Sequence, residues 1–486
     1  MTILSIMRFL ALPLLFRAGT AFARQFDTVI VGAGLSGLGA AKTLSQAGKS
    51  FIVLEARNRT GGRVYDVKLR NGGYSEMGAE FVGPTQDKIL DLVMELGLSL
   101  SKVYTSGTNI LWYDGQPLKY QSNGETGVVP PIDAVGLEQV FAVVQEVNSM
   151  ASQIDVQSPW DGPVEWDQQT FADWLDACHL SEKARFLIDI AVQSIWSVLP
   201  SELSLLYVAA YVAAGGNATT PGTLERLIST EDGAETYRVD GGAELLASRL
   251  AEKVGNVQLN APVVKITRVG SKYDVTLANG STVGGSHVIV AMAPPPAGRI
   301  VYEPPVLEAR EVLTKEMRMG AIGKATAVYY SEPWWRDDGL TAQVLSDSGL
   351  GSITFDQSRR GDAAGYGAIM TLMGADEMRA FDNATEDEVV EQLSHDFATY
   401  FGSKAAEVDE WAVYRWDNDE YSRGGPVAVA GPGVYSQVGS ALRQRFGNLH
   451  FAGTESSDYW VGYMDGALRS GYRAAWEVLE SERLLA

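Results

Sequence analysis

The chain has 486 residues, of which 46% are hydrophobic and 20% charged, a balance that is typical of a soluble globular protein. Its length exceeds one ordinary hydrophobic core and predicts about two to three domains. The formal net charge of −21 argues against nucleic-acid binding, because phosphate binding requires clustered lysine and arginine. An acidic field favours cationic small molecules, although solubility alone also accounts for it.

The first 24 residues differ from the rest of the chain. Arg8 precedes an apolar run at residues 9–16, and small residues at 21–23 offer a cleavage site. This pattern resembles a secretory signal peptide, and its apolar run is too short to span a bilayer. We therefore expect a secreted protein or one in the secretory pathway, with no stable membrane anchor. An N-terminal tail without a sorting role, in a cytoplasmic protein, is the alternative.

A glycine motif follows the leader in the order that a dinucleotide-binding βαβ unit requires. A β-branched run at residues 28–31 leads into G-x-G-x-x-G at residues 32–37. A helical stretch at residues 38–47, a second apolar strand at residues 51–54 and the acid Glu55 come next. This register predicts a Rossmann-like unit, whereas the glycine motif alone would be weak evidence.

Each residue type in this unit has a physical role. Gly32 permits the tight turn, and Gly34 lets the backbone approach a pyrophosphate at the helix N-terminus, where free N–H groups favour anions. Gly37 allows the helix to pack closely on the strand. Glu55 can accept hydrogen bonds from ribose hydroxyls.

A second cofactor signal occupies residues 55–63, where two adjacent glycines are flanked by arginines. Backbone and guanidinium groups of this kind can surround a pyrophosphate, and FAD proteins extend the fingerprint in this way. Residues 76–84 then predict irregular chain beside a flat cofactor. The expected cofactor contacts in these two segments are Arg57, Gly62, Arg63, Gly78 and Ala79.

The remainder alternates between helical and strand-rich segments. Residues 101–229 predict mostly helix, short strands recur between residues 257 and 291, and a helix at residues 386–401 follows further strands. The last segment returns to glycine-rich motifs and ends in a helix at residues 465–482. We expect a discontinuous FAD-binding domain (25–100, 235–300 and 411–486) and a substrate-binding domain (101–234 and 301–410).

Neither a thiol nor a metal is expected to carry chemistry. The single cysteine, Cys178, lies in an apolar helical stretch and excludes an intramolecular disulfide. The four histidines have no ligand spacing, so we expect no metal site.

Two C-terminal motifs complete a family resemblance. Residues 451–455 read F-A-G-T-E, and residues 460–467 read W-V-G-Y-M-D-G-A. With the two N-terminal motifs, they resemble flavin-containing amine oxidases, the monoamine oxidase and polyamine oxidase group, over residues 26–484. Residues 333–336 and 439–476 look most similar to fungal aminopolyol oxidases, which deaminate long-chain amines of the fumonisin type.

The resemblance implies an α/β, two-domain FAD-linked amine oxidase fold, with a discontinuous Rossmann-like FAD-binding domain and an inserted α+β substrate domain. It implies that Glu455 holds the flavin ribityl chain, that the backbone of Val263 contacts the adenine and that Trp416 packs beside the isoalloxazine. Lys324 matches a lysine that reaches flavin N5 through a water, and Tyr463 matches one wall of an aromatic cage around the amine. Two further implied cofactor contacts are Gly453 and Met464.

Three positions depart from the monoamine oxidase pattern. Pro426 stands where covalent members hold a cysteine, so we expect non-covalent FAD. Val427 stands at the second cage tyrosine, which implies a one-sided cage and a wider slot for aliphatic chains. A substrate-site glutamine of that group falls near Ala214.

Some of these residues also have an ordinary structural explanation. Lys324 alone reads as a surface lysine at a strand start, and Tyr463 as an ordinary half-buried tyrosine. Trp460 is expected in the core rather than the cage. Glu80, beside Phe81 in the expected substrate slot, either attracts a distant ammonium or hydroxyl or is a solvated loop acid.

The predicted activity is FAD-dependent oxidative deamination of a primary amine by O₂, yielding a carbonyl compound, ammonia and hydrogen peroxide. One rival is an L-amino-acid or polyamine oxidase on the same fold; the former needs an arginine for the substrate carboxylate, and none stands out. The other is a flavin-fold binding protein without catalysis. A homo-oligomer is compatible with the sequence.

Overall fold

The computed structural model describes residues 24–121, 129–130, 132–358 and 365–483. The predicted signal peptide lies outside these ranges, except for Arg24, which begins the first strand. Across the described ranges, no helix has both the length and the apolar character that crossing a membrane requires.

The strands are β1 (Arg24–Val31), β2 (Phe51–Leu54), β3 (Asp66–Lys68), β4 (Tyr74–Glu76), β5 (Phe81–Val82), β6 (Leu100–Lys102), β7 (Thr108–Tyr113), β8 (Gln116–Tyr120), β9 (Tyr237–Val239), β10 (Val257–Gln258), β11 (Val263–Val269), β12 (Lys272–Leu277), β13 (Thr282–Ala291), β14 (Val301–Glu303), β15 (Arg318–Met319), β16 (Gly323–Tyr329), β17 (Leu340–Ser346), β18 (Ile353–Asp356), β19 (Gly367–Met373), β20 (Glu410–Arg415), β21 (Ala428–Val429) and β22 (Leu449–Ala452). The α-helices are α1 (Leu35–Gln46), α2 (Asp87–Glu95), α3 (Ala134–Ala151), α4 (Val164–Asp167), α5 (Phe171–Ala177), α6 (Glu182–Trp196), α7 (Leu205–Ala213), α8 (Leu224–Ile228), α9 (Glu244–Val254), α10 (Pro294–Ala297), α11 (Glu308–Glu316), α12 (Ala375–Ala380), α13 (Glu386–Phe401), α14 (Tyr435–Val438) and α15 (Met464–Arg483).

The first large sheet is built around the glycine-motif strand. Its order is β10-β2-β1-β13-β12-β11-β14, with β22 also paired to β13. The strands β10, β2, β1, β13 and β22 pair in parallel. All four residues of β2 are buried, as expected for a parallel strand that is covered on both faces.

The C-terminal segment completes this first unit. β22 pairs with β13, and α15 packs along α1. Ser36 and Ser470 join the two helices through a 2.9 Å hydrogen bond between their hydroxyls, and Leu468 is fully buried beside them. The first and last thirds of the chain therefore share one core.

The second large sheet has the order β20-β16-β19-β18-β17-β7-β8. β16 is buried along its whole length, because β19 and β20 flank it in antiparallel pairs. Helices α3, α5, α6 and α7 form a separate apolar core. Lys324, the second residue of β16, is thus carried on an interior strand.

Sheet membership corrects two of the predicted boundaries. Val301–Glu303 pairs with β11, so the first sheet continues past residue 300. Glu410–Arg415 pairs with β16, so the second sheet continues past residue 410. The segment predicted as mostly helical also contains β7 and β8, and β8 carries little apolar signal because it is an exposed edge strand.

Candidate active site

A cavity of about 510 Å³ is lined by both large sheets and by the loops that follow β1, β2 and β22. It contains most of the predicted site residues: Gly32, Gly34, Glu55, Arg57, Gly62, Arg63, Gly78, Ala79, Glu80, Phe81, Val263, Lys324, Trp416, Gly453, Tyr463 and Met464. Gly37, Glu455 and Val427 do not reach its surface.

The glycines of the first motif meet different demands. Gly32 has a φ of +103°, and a Cβ there would lie 2.7 Å from the Ala291 carbonyl oxygen. A Cβ at Gly37 would lie 1.9 Å from the Gly32 carbonyl oxygen, so close packing alone requires that glycine. Gly34 meets only ordinary contacts, the nearest at 3.8 Å, yet it lines the cavity. A side chain at Gly34 would fill space that the protein leaves for a ligand.

The N-terminus of α1 opens onto the same space. Gly34 is its N-cap and provides no side-chain cap, and Leu35 and Ser36 line the cavity. The first N–H groups of a helix lack intrahelical partners and favour anions. This cradle fits a pyrophosphate.

Glu55 is 3% exposed and is held by the backbone around it. One carboxylate oxygen accepts from Ala33 N at 2.8 Å, and the other accepts from Arg57 N at 2.9 Å. A carboxylate has about four acceptor positions, so two remain for the hydroxyls of a ribose.

Two of the three arginines of the second motif, Arg57 and Arg63, line the cavity, and both are paired. Arg57 forms an ion pair with Asp419 and donates to Ser422 Oγ at 2.8 Å. Arg63 donates to both oxygens of Glu455, at 2.7 and 3.2 Å. These pairs fix the guanidinium groups at the cavity wall.

Glu455 lies within the wall of the cavity, behind Arg63. It is 5% exposed and also accepts from Ala428 N at 3.2 Å, so its oxygens are directed into the protein. Glu455 lies behind Arg63 and orients it, which places Arg63 rather than Glu455 on the cavity surface.

Trp416 is a fixed aromatic wall. Its indole Nε1 donates to the Met77 carbonyl oxygen at 2.7 Å, and its side chain is 4% exposed. The indole is satisfied within the protein and presents ring surface to the cavity. With the pyrophosphate cradle and the ribose acceptor, this apolar wall fits the flat ring system of FAD.

Lys324 and Glu80 form a buried pair. Lys324 Nζ donates to Glu80 Oε2 at 2.8 Å and to the Gly78 carbonyl oxygen at 3.1 Å. Gln357 Nε2 donates to the same Glu80 oxygen at 2.7 Å. The side chains of Lys324 and Glu80 are 5% and 3% exposed. The alternatives of a surface lysine and a solvated loop acid are therefore wrong.

A second pair borders the first. Arg238 forms an ion pair with Glu76, and it lies 3.9 Å from Glu80 Oε2. The cluster thus balances two cations, Lys324 and Arg238, against two carboxylates.

Tyr463 presents a fixed ring at the other end of the cavity. Its hydroxyl donates to the Leu227 carbonyl oxygen at 3.0 Å, and its ring meets Trp460 edge-on at 4.9 Å. Burial, followed by the neighbouring Tyr211 and Glu235, raises the pKa of Tyr463 well above its ordinary value. The phenol stays neutral and contributes a ring face. Trp460 is fully buried in the core, as expected.

Around Tyr463 the cavity wall is mostly apolar. Phe81 packs edge-on against Phe355 at 5.7 Å and lines the cavity. Val427 is fully buried in the helical core and forms no part of the wall, and Ala214 also lies outside it. The other lining residues on this side are Tyr211, whose ring lies 6.4 Å from that of Tyr463, and the apolar residues Ile195, Leu227, Ile228, Met370 and Leu372.

Sequence reasoning missed Gln357, Arg238 and Glu235. Gln357 directly follows the buried strand β18, and a polar residue at such a strand end is a usable signal. Glu235 lines the cavity, but it lies near other acids in the loop before β9 and has no distinguishing spacing.

Cys178 is half-buried away from the cavity, and its thiol lies 3.4 Å from the Trp174 carbonyl oxygen. Among the described residues, no group of histidine, cysteine, aspartate and glutamate side chains could hold a metal ion.

Comparisons with known proteins identify the family. The model of the family described as flavin containing amine oxidoreductase matches residues 35–479. Amine oxidase (flavin-containing) B of Sus scrofa is 32% identical over 460 residues, which cover 94% of this chain and 86% of that protein. The Homo sapiens protein of the same name is 31% identical over 464 residues, with 94% and 87% covered.

Solved structures agree over nearly the whole chain. Putrescine oxidase bound to putrescine superposes with a TM-score of 0.86 and 28% identity, and cyclohexylamine oxidase from Brevibacterium oxydans IH-35A gives the same values. Each comparison covers 94% of this chain and 99% of the other. The fold is thus the α/β fold of FAD-linked amine oxidases, the protein is an enzyme of that class and FAD is its cofactor. Cys178 does not line the cavity, which agrees with non-covalent binding of FAD. The chain belongs to the flavin-containing amine oxidase family.

Proposed function

We propose that this enzyme oxidatively deaminates a primary amine that carries a long aliphatic or aminopolyol chain. One amine, one O₂ and one water give one carbonyl compound, one ammonia and one hydrogen peroxide. The proposal follows the resemblance of residues 333–336 and 439–476 to fungal aminopolyol oxidases, which is a prediction from the sequence, and the lining of the amine end of the cavity supports it.

The one-sided aromatic wall carries the proposal. Tyr463 offers one ring face, whereas Val427, at the position of a second cage aromatic, is buried in the core. The rest of this wall consists of aliphatic and thioether side chains with Phe81, Tyr211 and the carboxylate of Glu235. A wide apolar slot of this kind favours a flexible alkyl chain over a small aromatic amine that needs two faces.

The chain's own residues would bind and orient the reactants. FAD, when bound, supplies the two-electron oxidation and passes the electrons to O₂. Tyr463 orients the amine by its ring face. Lys324, an ammonium fixed by Glu80, stabilises the negative charge that develops as oxygen is reduced.

An L-amino-acid oxidase is disfavoured. It would need a free arginine at the amine end of the cavity to bind a carboxylate. The arginines that line the cavity are Arg57, Arg63 and Arg299. The first two are paired with Asp419 and Glu455, and Arg299 donates to the Glu420 carbonyl oxygen at 2.8 Å.

A diamine or polyamine oxidase is the second candidate. The similarity to putrescine oxidase favours it, and Glu235 adds a carboxylate to the wall near Tyr463. A carboxylate can bind a second ammonium group.

A peroxide-coupled screen tests these candidates. We expect the highest kcat/KM with long alkylamines and aminopolyols, lower values with benzylamine and putrescine, and little with α-carboxylated analogues. A preference for diamines would select the second candidate. No peroxide from any amine would support the binding protein that lacks catalysis.

The pH profile gives a second test. The reacting amine must be neutral, so kcat/KM should rise with pH between roughly 6 and 9. A flat profile over this range would contradict the proposal.

We also propose that the protein is secreted, because residues 1–24 have the signal-peptide pattern. Expression in a secreting host should release protein that lacks this segment, as determined by N-terminal sequencing. Retention of the intact leader in the cytoplasm would favour a tail without a sorting role. Sedimentation would establish whether the enzyme is a homo-oligomer.

A further inference from the structure

Glu235 differs from the other carboxylates of the cavity. It lines the wall together with Tyr463, Phe81 and Leu227. Among the described residues, its carboxylate has no hydrogen-bond or ion-pair partner, whereas Glu80 is held by Lys324 and Gln357. Glu235 is half-buried on the cavity wall, and a half-buried carboxylate without a protein partner is costly, so a cationic ligand that contacts it would explain its position.

The charges that face Glu235 do not neutralise it. Lys324 and Arg238 are already matched by Glu80 and Glu76. Arg226, on the adjacent helix α8, turns its guanidinium to the Pro221 carbonyl oxygen. The Tyr463 hydroxyl donates to Leu227 rather than to Glu235.

This setting favours the protonated carboxyl group. Burial, with a smaller contribution from the charge of Glu80, raises the pKa of Glu235 to about 8. A group with this pKa exchanges a proton near the pH at which an alkylammonium must lose one.

We propose that Glu235 receives the proton of the incoming alkylammonium, so that the amine becomes neutral inside the cavity. The inference rests on the proposed amine oxidation and adds a proton acceptor to it. It also gives the enzyme a means of binding the cationic form of the substrate, which predominates in solution.

The transfer balances in atoms and charge. An N–H bond of the ammonium breaks and an O–H bond of the carboxyl forms, with no change in oxidation state. The pair is neutral overall before and after the transfer. In water the pKa of the ammonium is about 10.4, roughly two units above that of Glu235, so the proton would stay on the amine. Beside an apolar wall the uncharged pair of amine and carboxylic acid is favoured instead.

The wild type and Glu235→Gln should differ in their pH profiles. With Glu235 as acceptor, kcat/KM rises near pH 8 whatever the basicity of the amine, and it falls as the free ammonium deprotonates. In Glu235→Gln the rising limb should move up by about two pH units to the pKa of the amine itself, and the fall should disappear. A pair of alkylamines that differ in basicity by fluorination makes this distinction directly.

Proton counting provides a readout without turnover. An alkylamine whose α-carbon carries no hydrogen is titrated into the holoenzyme at pH 9, in buffers of different ionisation enthalpy. The wild type should release almost no protons, because the proton passes to Glu235. Glu235→Gln should release about one proton per amine bound.

Controls separate this role from folding and from the other candidates. Glu231→Gln, which changes an exposed acid four residues earlier, should match the wild type. Glu235→Asp keeps the carboxyl group and should keep a rising limb that is independent of amine basicity, even if Glu235→Gln folds poorly. A wild-type profile in Glu235→Gln, or a loss confined to diamines, would overturn the inference. Peroxide from no amine in the wild type would instead overturn the proposed function.

Discussion

The two ends of the cavity are built in opposite ways. At the cofactor end, glycines pack at the limit of backbone contact, and the charged groups are paired, as in Arg63 with Glu455. At the amine end, the wall is mostly apolar and holds Glu235 without a partner. At a site for a permanently bound cofactor, the charged groups of the protein can be paired with each other. At a site for a substrate that reacts and leaves, a charged group can stay unpaired until the substrate binds. Five predictions test this contrast.

Acid precipitation should release all of the flavin into the supernatant. Pro426 lines the cavity where a cysteinyl bond would form in covalent relatives, and Cys178 lies elsewhere. Absorbance of supernatant and pellet measures the separation. Yellow colour that stays in the pellet would show a covalent bond at the cofactor end.

Gly37→Ala should abolish the folded holoprotein. A Cβ 1.9 Å from the Gly32 carbonyl oxygen forces the helix off the strand, at a cost of about 3 kcal/mol or more. Gly34→Ala is the matched variant, because its Cβ meets only ordinary contacts. It should fold but bind FAD more weakly, as measured by flavin content and by melting with added FAD. If both variants folded and bound FAD equally well, Gly37 would not be required for packing and Gly34 would not be required for ligand space.

Lys324→Met should lower both stability and the rate of reaction with oxygen. It leaves the buried Glu80 carboxylate without its ammonium, at a cost of about 3 kcal/mol. Oxidation of the reduced enzyme by O₂ should slow by on the order of tenfold, followed by stopped-flow absorbance.

The double variant Lys324→Met with Glu80→Gln serves as the control for Lys324→Met. It should recover most of the stability, because no buried charge is left without a partner, but it should not recover the reaction rate. Recovery of both would mean that Lys324 acts only through folding.

Tyr463→Leu should reduce kcat/KM for alkylamines by on the order of tenfold, because the ring face that orients the amine is lost. Tyr463→Phe keeps the ring and loses only the hydrogen bond to Leu227, worth about 1 kcal/mol of stability. Steady-state kinetics on both variants measure the difference. Equal losses would assign the effect to the hydroxyl.

Glu235→Gln should become more stable relative to the wild type as the pH rises. The pKa of Glu235 in the folded protein, about 8, lies above the ordinary value of about 4.3, so the folded state binds the proton more tightly. The associated stability is present below about pH 4 and is lost as the pH rises through 8. The melting temperature of the Glu235→Gln holoprotein minus that of the wild type should therefore increase from pH 5 through 7 to 9, and a decrease would contradict the raised pKa.

The elements that could be predicted are those whose signal is local. The β1-α1-β2 unit follows from the glycine spacing, and the predicted helix at residues 386–401 is confirmed as α13. The edge strand β8 could not be predicted, because four of its five residues are exposed and show no apolar alternation.

The site residues also differ in whether their signal in the sequence is local. Packing at Gly37 is decided within a few residues of sequence, so spacing is sufficient to predict it. The contact of Glu455 with Arg63 could not be predicted, because it joins segments 392 positions apart. The burial of Val427 in the helical core could not be predicted either, because a motif match does not reveal which way a side chain points. Glu235 was missed because only the tertiary structure shows which acid of a loop is enclosed.

The pairing of β22 with β13 and the packing of α15 on α1 have a consequence for biosynthesis. The glycine-motif turn is translated early, yet one strand and one helix that complete its unit, β22 and α15, are translated much later. A nascent chain cannot close the flavin cradle until α15 has left the ribosome, so cofactor capture follows the synthesis of that helix. A chain truncated before α15 would therefore bind no flavin and be colourless, even with its first four hundred residues intact.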